Sequence, residues 1–288
     1  MSYPAGTFVL TPDGWKTIEQ VKHSDRVAEM DDNELVFSHP ADVVSKHFSG
    51  QLVNVEARNY GFIVTPDHMV DVAKKDGSSA TRLAAGSFPK NPYYHLRVGA
   101  PMPRRDREVH DPDFARLVGM MRSNMLIFNR THILSRIKLS TIRPYMMALM
   151  DGAGVSWTKD DPRFNIERHP RIMAYFTENG RLRRSTLLAL DNESRRLFLH
   201  GMQNWNARIR VPAHATEICR MPPDDVRLIH ELAARTGMSS VERLVKETWT
   251  HVKIRPEQRN LLPQRLTGVL YQGRVYGLAM PSGTLFTR

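Results

Sequence analysis

The sequence predicts an α+β chain in which an all-β unit, drawn from both ends, is interrupted by a middle section of helices and strands. Three observations predict it. Short apolar runs broken by turn signals fill the chain from about residue 5 to residue 75. A helical period takes over behind Asp111-Pro112, and strand-like text returns over Leu266–Phe286.

The opening runs are Thr7-Phe8-Val9-Leu10, Asp25-Arg26-Val27, Gln51-Leu52-Val53-Asn54-Val55 and Gly61-Phe62-Ile63-Val64, with turns such as Pro12-Asp13-Gly14-Trp15 between them. Residues 76–110 hold Gly, Ser, Pro, Lys and Arg in loose order and read as a transition, with a strand near Tyr93–Val98. Phe114, Leu117, Val118 and Met121 then stand at i, i+3, i+4 and i+7, which predicts a helix over about 112–123 with Asp111 as its N-cap candidate and Pro112 at its first position. Ile133, Ser135, Ile137 and Leu139 alternate with His132, Leu134, Arg136 and Lys138, a strand with one largely basic face. A helical stretch over Arg143–Asp151 follows.

The same order starts again near Asp191. A helical stretch Glu193–Gln203 precedes strands near Arg208–Val211 and Thr216–Arg220. A helix over Pro222–Thr236 then carries Val226, Ile229, Leu232 and Ala233 on one face and stops at Gly237. Thr250, Val252 and Ile254 next alternate with His251, Lys253 and Arg255. Two helix-led units about 80 residues apart suggest a pseudo-repeat.

Composition narrows the function classes. Over 288 residues, 41 Lys and Arg against 30 Asp and Glu give a formal charge of +11 and a pI near 10.0. A field of that sign draws polyanions, nucleic acid above all, with an ordinary basic surface as the alternative. Arg181-Leu182-Arg183-Arg184 and Arg195-Arg196 cluster the charge and favour the polyanion. A hydrophobic fraction of 41% excludes a disordered chain. No apolar run approaches the roughly 20 residues of a bilayer span, and Met1-Ser2-Tyr3-Pro4-Ala5-Gly6 does not resemble a secretory leader. Cys219 stands alone, which excludes an internal disulfide or a multi-thiolate zinc cage and points to a reducing, cytoplasmic compartment.

At this level of detail the residues carry a resemblance. Ser2-Tyr3-Pro4-Ala5-Gly6-Thr7-Phe8-Val9-Leu10-Thr11-Pro12-Asp13-Gly14-Trp15 resembles the N-terminal block of inteins and related Hedgehog/intein (Hint) domains. Phe62-Ile63-Val64-Thr65-Pro66-Asp67-His68-Met69-Val70 resembles their second block, with its Thr-x-x-His signature, and the run from Gly273 to Gly283 resembles the block before the C-terminal splice site. Leu117-Val118-Gly119-Met120-Met121-Arg122-Ser123-Asn124-Met125 and Leu199-His200-Gly201-Met202-Gln203-Asn204-Trp205-Asn206-Ala207 resemble the two motifs of LAGLIDADG (dodecapeptide, DOD-type) homing endonucleases, which many inteins carry as an insertion.

The resemblance implies a Hint-like horseshoe over residues 1–100 and 256–288. It implies a pseudo-two-fold αββαββα domain over 110–255, with halves at about 112–185 and 190–255. The implied protein is a free-standing, degenerate relic of a mobile element. It is a monomer that binds long double-stranded DNA, with site-specific phosphodiester cleavage weakened or lost and self-splicing lost. A non-enzymatic DNA-binding or regulatory protein, and a structural or interaction module reusing the Hint scaffold, are the alternatives.

The family also assigns roles. Gly119 and Gly201 match the small residues that let the motif helices approach. The last Asp of each motif holds divalent metal at the scissile phosphate, and here Asn124 and Asn206 occupy those positions. An amide oxygen can ligate Mg²⁺ but brings no negative charge and cannot act as a base near neutral pH. Mg²⁺ is therefore a cofactor only if cleavage survives. Trp205, Met125 and Ala207 also depart from the motif, while Asp151 and Glu217 are carboxylates that could enter such a site from elsewhere. Against these roles, Met120, Met121, Leu199 and Met202 can be plain helical core.

Ser2 matches the splicing nucleophile, and Thr65 and His68 match the pair that polarises the scissile amide. A histidine tying strands together is the alternative for His68. Gly277 stands where the family often has Asp or Cys, and the closing His-Asn or Gly-Asn is missing. The DNA-contact candidates are His132, Arg136 and Lys138 in the first half, and Arg208, Arg210, His251, Lys253 and Arg255 in the second. A strand ribbon can enter a major groove, and for any single one of these side chains a solvated charge is the alternative.

Overall fold

The computed structural model describes residues 2–57, 60–74, 80–88, 94–97, 100–103, 108–123, 127–128, 132–136, 143–160, 163–202, 216–246, 249–255, 259–261 and 265–287. The chain opens with strands β1 (Tyr3–Pro4), β2 (Phe8–Thr11), β3 (Gly14–Thr17), β4 (Val27–Asp31), β5 (Glu34–Ser38), β6 (Asp42–Ala57), β7 (Tyr60–Val64), β8 (Met69–Lys74), β9 (Ala80–Ala84) and β10 (Tyr94–Arg97). Helix α1 (Pro112–Ser123), β11 (Ile127–Phe128), β12 (His132–Arg136), α2 (Arg143–Gly152), β13 (Trp157–Asp160), β14 (Arg163–Glu167), α3 (Pro170–Met173) and α4 (Arg184–Ala189) come next. Then follow α5 (Asn192–Gly201), β15 (Thr216–Met221), α6 (Pro223–Arg235), β16 (Ser239–Lys246), β17 (Trp249–Arg255), β18 (Arg259–Leu261) and β19 (Arg265–Ala279). Among the described residues, the strand pairs with a given register are antiparallel.

The chain divides into two compact units, one of Met1–Pro103, Gly237–Ser239 and Glu257–Arg288, the other of Arg104–Thr236 and Ser240–Pro256. The first is the β unit. Its main sheet runs β1-β19-β6-β7, and a second runs β18-β10-β8-β9. β6 and β19 pair along fifteen rungs, from Arg265↔Glu56 to Ala279↔Asp42. Alternation along these strands points Val55, Val64 and Val72 into a core with Val9, Ile18, Val27 and Phe88. Pro12-Asp13-Gly14 does turn the chain, joining β2 to β3 with Gly14 at φ +114°. The sequence foresees only the stretch Gln51–Val55 of β6. The part before it, residues 42–50, mixes Val43, Val44 and Phe48 with exposed Ser, Lys and His, and is held in the sheet by β19.

The second unit joins helices to two sheets. The first sheet has the order β11-β12-β14-β13 and the second β15-β17-β16. α1 covers the predicted range, and the carbonyl of Asp111 accepts the Ala115 N–H, as an N-cap residue's does. α5 starts on Asp191, whose carboxylate accepts the Ser194 N–H at 2.8 Å. α6 ends where expected, with Gly237 at φ +73° just beyond it. β13, β14 and β16 were not foreseen, because Trp-Thr-Lys-Asp and Arg-Phe-Asn-Ile-Glu alternate too briefly to stand out without their partners. No helix among the described residues is long and apolar enough to cross a membrane.

Candidate functional site

In the β unit, the chain start is held against the Thr-x-x-His segment. The Ser2 N–H donates to Thr65 Oγ1 at 3.1 Å, and the Thr65 N–H donates to the Ser2 carbonyl at 3.0 Å. Both residues are buried. The Thr65 hydroxyl in turn donates to Asp67, which holds the Asp67 carboxyl below its usual range. The next turn closes locally: the His68 N–H donates to the Thr65 carbonyl at 3.0 Å, and the Ala85 N–H donates to the His68 carbonyl at 2.8 Å.

The His68 ring lies edge-on to the Tyr3 ring, with centroids 4.6 Å apart. Burial pushes its imidazole down to about 4, so it is neutral near pH 7. Its buried Nδ1 has no hydrogen-bond partner among the described residues. His68 thus ties strands through its backbone while one ring nitrogen stays unsatisfied, which a purely structural histidine rarely tolerates. Tyr3 itself is buried, which pushes its hydroxyl up to about 12 against a hydrogen bond with Thr287. Chemically, the cluster can grip the amide nitrogen of residue 2 through a polarised hydroxyl beside a neutral imidazole.

In the second unit, the two motif helices cross at their glycines. A Cβ on Gly119 would collide with the Phe198 carbonyl oxygen and sit 3.1 Å from the Gly201 carbonyl carbon and the Met202 nitrogen. A Cβ on Gly201 would collide with the Arg116 carbonyl oxygen and sit 3.1 Å from the Met120 nitrogen. The contacts are reciprocal: each glycine meets the residue three before its counterpart and the residue one after it. The lead-ins pair as well, through Val109 N–H to Ala189 O at 2.8 Å, Asp191 N–H to Val109 O at 3.0 Å and Asp111 N–H to Ser194 Oγ at 2.9 Å. Met120, Met121, Leu199 and Met202 are fully buried around this crossing, as core residues are.

The remaining candidates divide. His132 and Arg136 are register positions at the two ends of β12, and His251, Lys253 and Arg255 alternate along β17. Asn124, Asn206, Lys138, Arg208 and Arg210 lie outside the described residues, as do Trp205, Met125 and Ala207. Asp151 accepts a hydrogen bond from the Trp157 indole at 2.8 Å.

Three arginines of the clustered runs, Arg183, Arg184 and Arg195, are engaged inside the fold, while Arg196 is exposed. Arg195 is buried and donates to Glu108 at 3.0 Å and to the Leu188 carbonyl at 2.8 Å. Arg183 donates to the Phe176 carbonyl at 3.0 Å, and Arg184 pairs with Glu231 at 2.6 Å. Folding a basic run against buried carboxylates neutralises it locally, and spacing in the sequence cannot reveal partners so far away.

Sequence reasoning also missed acidic residues that organise the unit. Asp225 on α6 accepts from Arg122 at 2.6 Å, in the last turn of α1, and from the Leu182 N–H at 3.4 Å. Glu231 holds Arg184 and Arg235 together. Neither carries a local signal, because an acidic residue beside the apolar face of a helix reads as a solvated one. Among the described residues, no group of three or more His, Cys, Asp or Glu gathers as a metal site. Two amides without a carboxylate also do not suit Mg²⁺.

No protein-family model matches the chain, and no curated protein matches it. Among solved structures, it aligns with a GSH-linked, splice-inactive variant of the AceL NrdHF class 3 split intein at 21% identity and TM-score 0.30. The alignment covers 33% of this chain and 61% of that one, less than two thirds of its length.

Proposed function

We propose that this is an intein-derived protein whose second unit binds long duplex DNA in the manner of a LAGLIDADG homing endonuclease, with site-specific cleavage weakened or lost. The reciprocal crossing of α1 and α5 at Gly119 and Gly201 carries the reading. Backbones this close need glycine on both helices, and such a crossing is what the two motifs are built to make. The order of pairing supports it further. β12, β14 and β13 follow one motif helix as β15, β17 and β16 follow the other, with α2 and α6 in corresponding places. That order fits a pseudo-two-fold repeat, in which each half would offer one sheet to one half-site.

The Ser2–Thr65–His68 cluster supports an intein ancestry for the β unit. Asn124 and Asn206 argue for lost cleavage, because neither amide supplies the anionic oxygen that in-line phosphodiester hydrolysis draws on. The test is selection of random duplex DNA on the whole protein at moderate salt, with and without Mg²⁺, sequencing retained molecules and new ends. Enrichment of a site roughly 15–25 base pairs long without new ends is expected. New ends inside that site would restore an active endonuclease. No enrichment would leave the scaffold reading.

A further inference from the structure

We propose that the β6–β19 ribbon of the β unit is a DNA-contacting surface in its own right, laying one polar face in the major groove of a duplex. This rests on the reading of the chain as a DNA-binding protein and adds a surface that neither motif helix nor the sheets beside them supply.

Width is the first observation. From Leu52↔Val269 to His47↔Arg274, six consecutive rungs, the sheet is two strands wide among the described residues. β7 pairs only with Val53–Ala57, and β1 only with Val275 and Tyr276. Two strands about 5 Å apart, with their side chains, fit a groove about 12 Å wide, and a broader sheet does not. Six rungs at about 3.4 Å run roughly 17 Å, the rise of about five base pairs.

Chemistry of the face is the second. His47, Ser49 and Gln51 stand opposite Arg274, Gln272 and Leu270 on one side of the ribbon, and all six are exposed. Arginine reads guanine, glutamine reads adenine, and an apolar side chain meets the thymine methyl. Leu270, at 86% exposure, otherwise stands in water with no packing role. Arg274 donates to Ser45 Oγ at 3.1 Å, which steadies the guanidinium along the strand.

Charge is the third. From Val43 to Val55 and from Leu266 to Met280 there is no Asp or Glu, and His47 and Arg274 stand opposite each other on this face, while Lys46, opposite Val275, belongs to the other. A sheet face adapted only to water mixes both signs. A-form RNA is excluded as the occupant, because its major groove is too deep and narrow for a ribbon.

The experiment measures anisotropy of the whole protein with a labelled random-sequence DNA duplex of roughly 40 base pairs, across about 50–200 mM salt. An RNA duplex of equal length serves as competitor. The double variant Gln272→Ala, Arg274→Ala is expected to bind roughly tenfold more weakly, and its log–log salt slope to be shallower by about 1. Its urea midpoint should match the wild type, since both positions are exposed. Wild-type binding with variants of equal affinity and slope overturns the ribbon and leaves the motif-helix reading standing. A wild type that binds no duplex removes both. RNA competing as well as DNA overturns the groove assignment. If Leu270→Ser disperses a wild-type dimer in sedimentation without changing DNA affinity, the ribbon joins copies of this chain instead.

Discussion

Gly119 and Gly201 invert the usual ranking of helix residues. At an open helical position alanine is the better helix former by about 1 kcal/mol, so a Gly→Ala change there is neutral or favourable. At this crossing a methyl group meets a backbone carbonyl that cannot rotate away. Gly119→Ala and Gly201→Ala are each expected to cost about 3 kcal/mol in urea melts. Gly152→Ala, where nothing lies within 4 Å of the added methyl, should leave the midpoint unchanged or raise it.

His68 supplies a second test at this scale. Its folded-state pKa, about 4, lies below the ordinary value of about 6.5, so between those values the unfolded chain binds the extra proton. The stabilisation is complete above pH 6.5 and is lost as pH falls towards 4, up to about 3 kcal/mol. Urea melts from pH 7 to pH 4.5 on wild type and His68→Asn check it, the variant being expected to flatten this window. Asp67, whose pKa is lowered, loses its contribution only below the ordinary carboxylate range. The glycines, Ser2, Thr65 and His68 were legible because each belongs to a short motif. Asp67 stands within such a motif too, but its role as acceptor of the Thr65 hydroxyl depends on a turn that letters alone do not draw.

α6 shows where periodicity reaches its limit. Val226, Ile229, Leu232 and Ala233 are buried as their spacing predicts, but so are Asp225, His230, Glu231 and Arg235 on the other sides. An amphipathic pattern leads one to expect a solvated face, and only tertiary structure puts arginines over it. Glu231→Gln leaves two guanidinium groups without their carboxylate and is expected to cost about 3–5 kcal/mol. Replacing Glu231, Arg184 and Arg235 together by apolar residues should recover most of that loss, since the pair's desolvation penalty disappears with its charges. Denaturant melts of the single and triple variants compare the two. The helices α1, α2, α5 and α6 were legible from their apolar spacing, whereas β13, β14 and β16 draw their stability from neighbours and carry little local signal.

For the whole molecule, net charge is a poor pointer to a surface. Arg184 and Arg195, from the runs that cluster in sequence, pair with internal carboxylates, and an acid-free stretch lies on a ribbon whose two strands are distant in sequence. Binding of the duplex should therefore weaken steeply with salt, and the slope counts the phosphates engaged.

The fifteen rungs between β6 and β19 also fix a timetable for synthesis. Asp42 finds Ala279 only after more than two hundred intervening residues have left the ribosome, so β6 emerges with one edge waiting for a partner. Local contacts let α1 through β14 gather long before that. Nascent chains stalled just before Arg265 should thus be cut by protease within β6 and resist it around α1 and β14. Release of the last strand would convert the whole β unit to protection in one step.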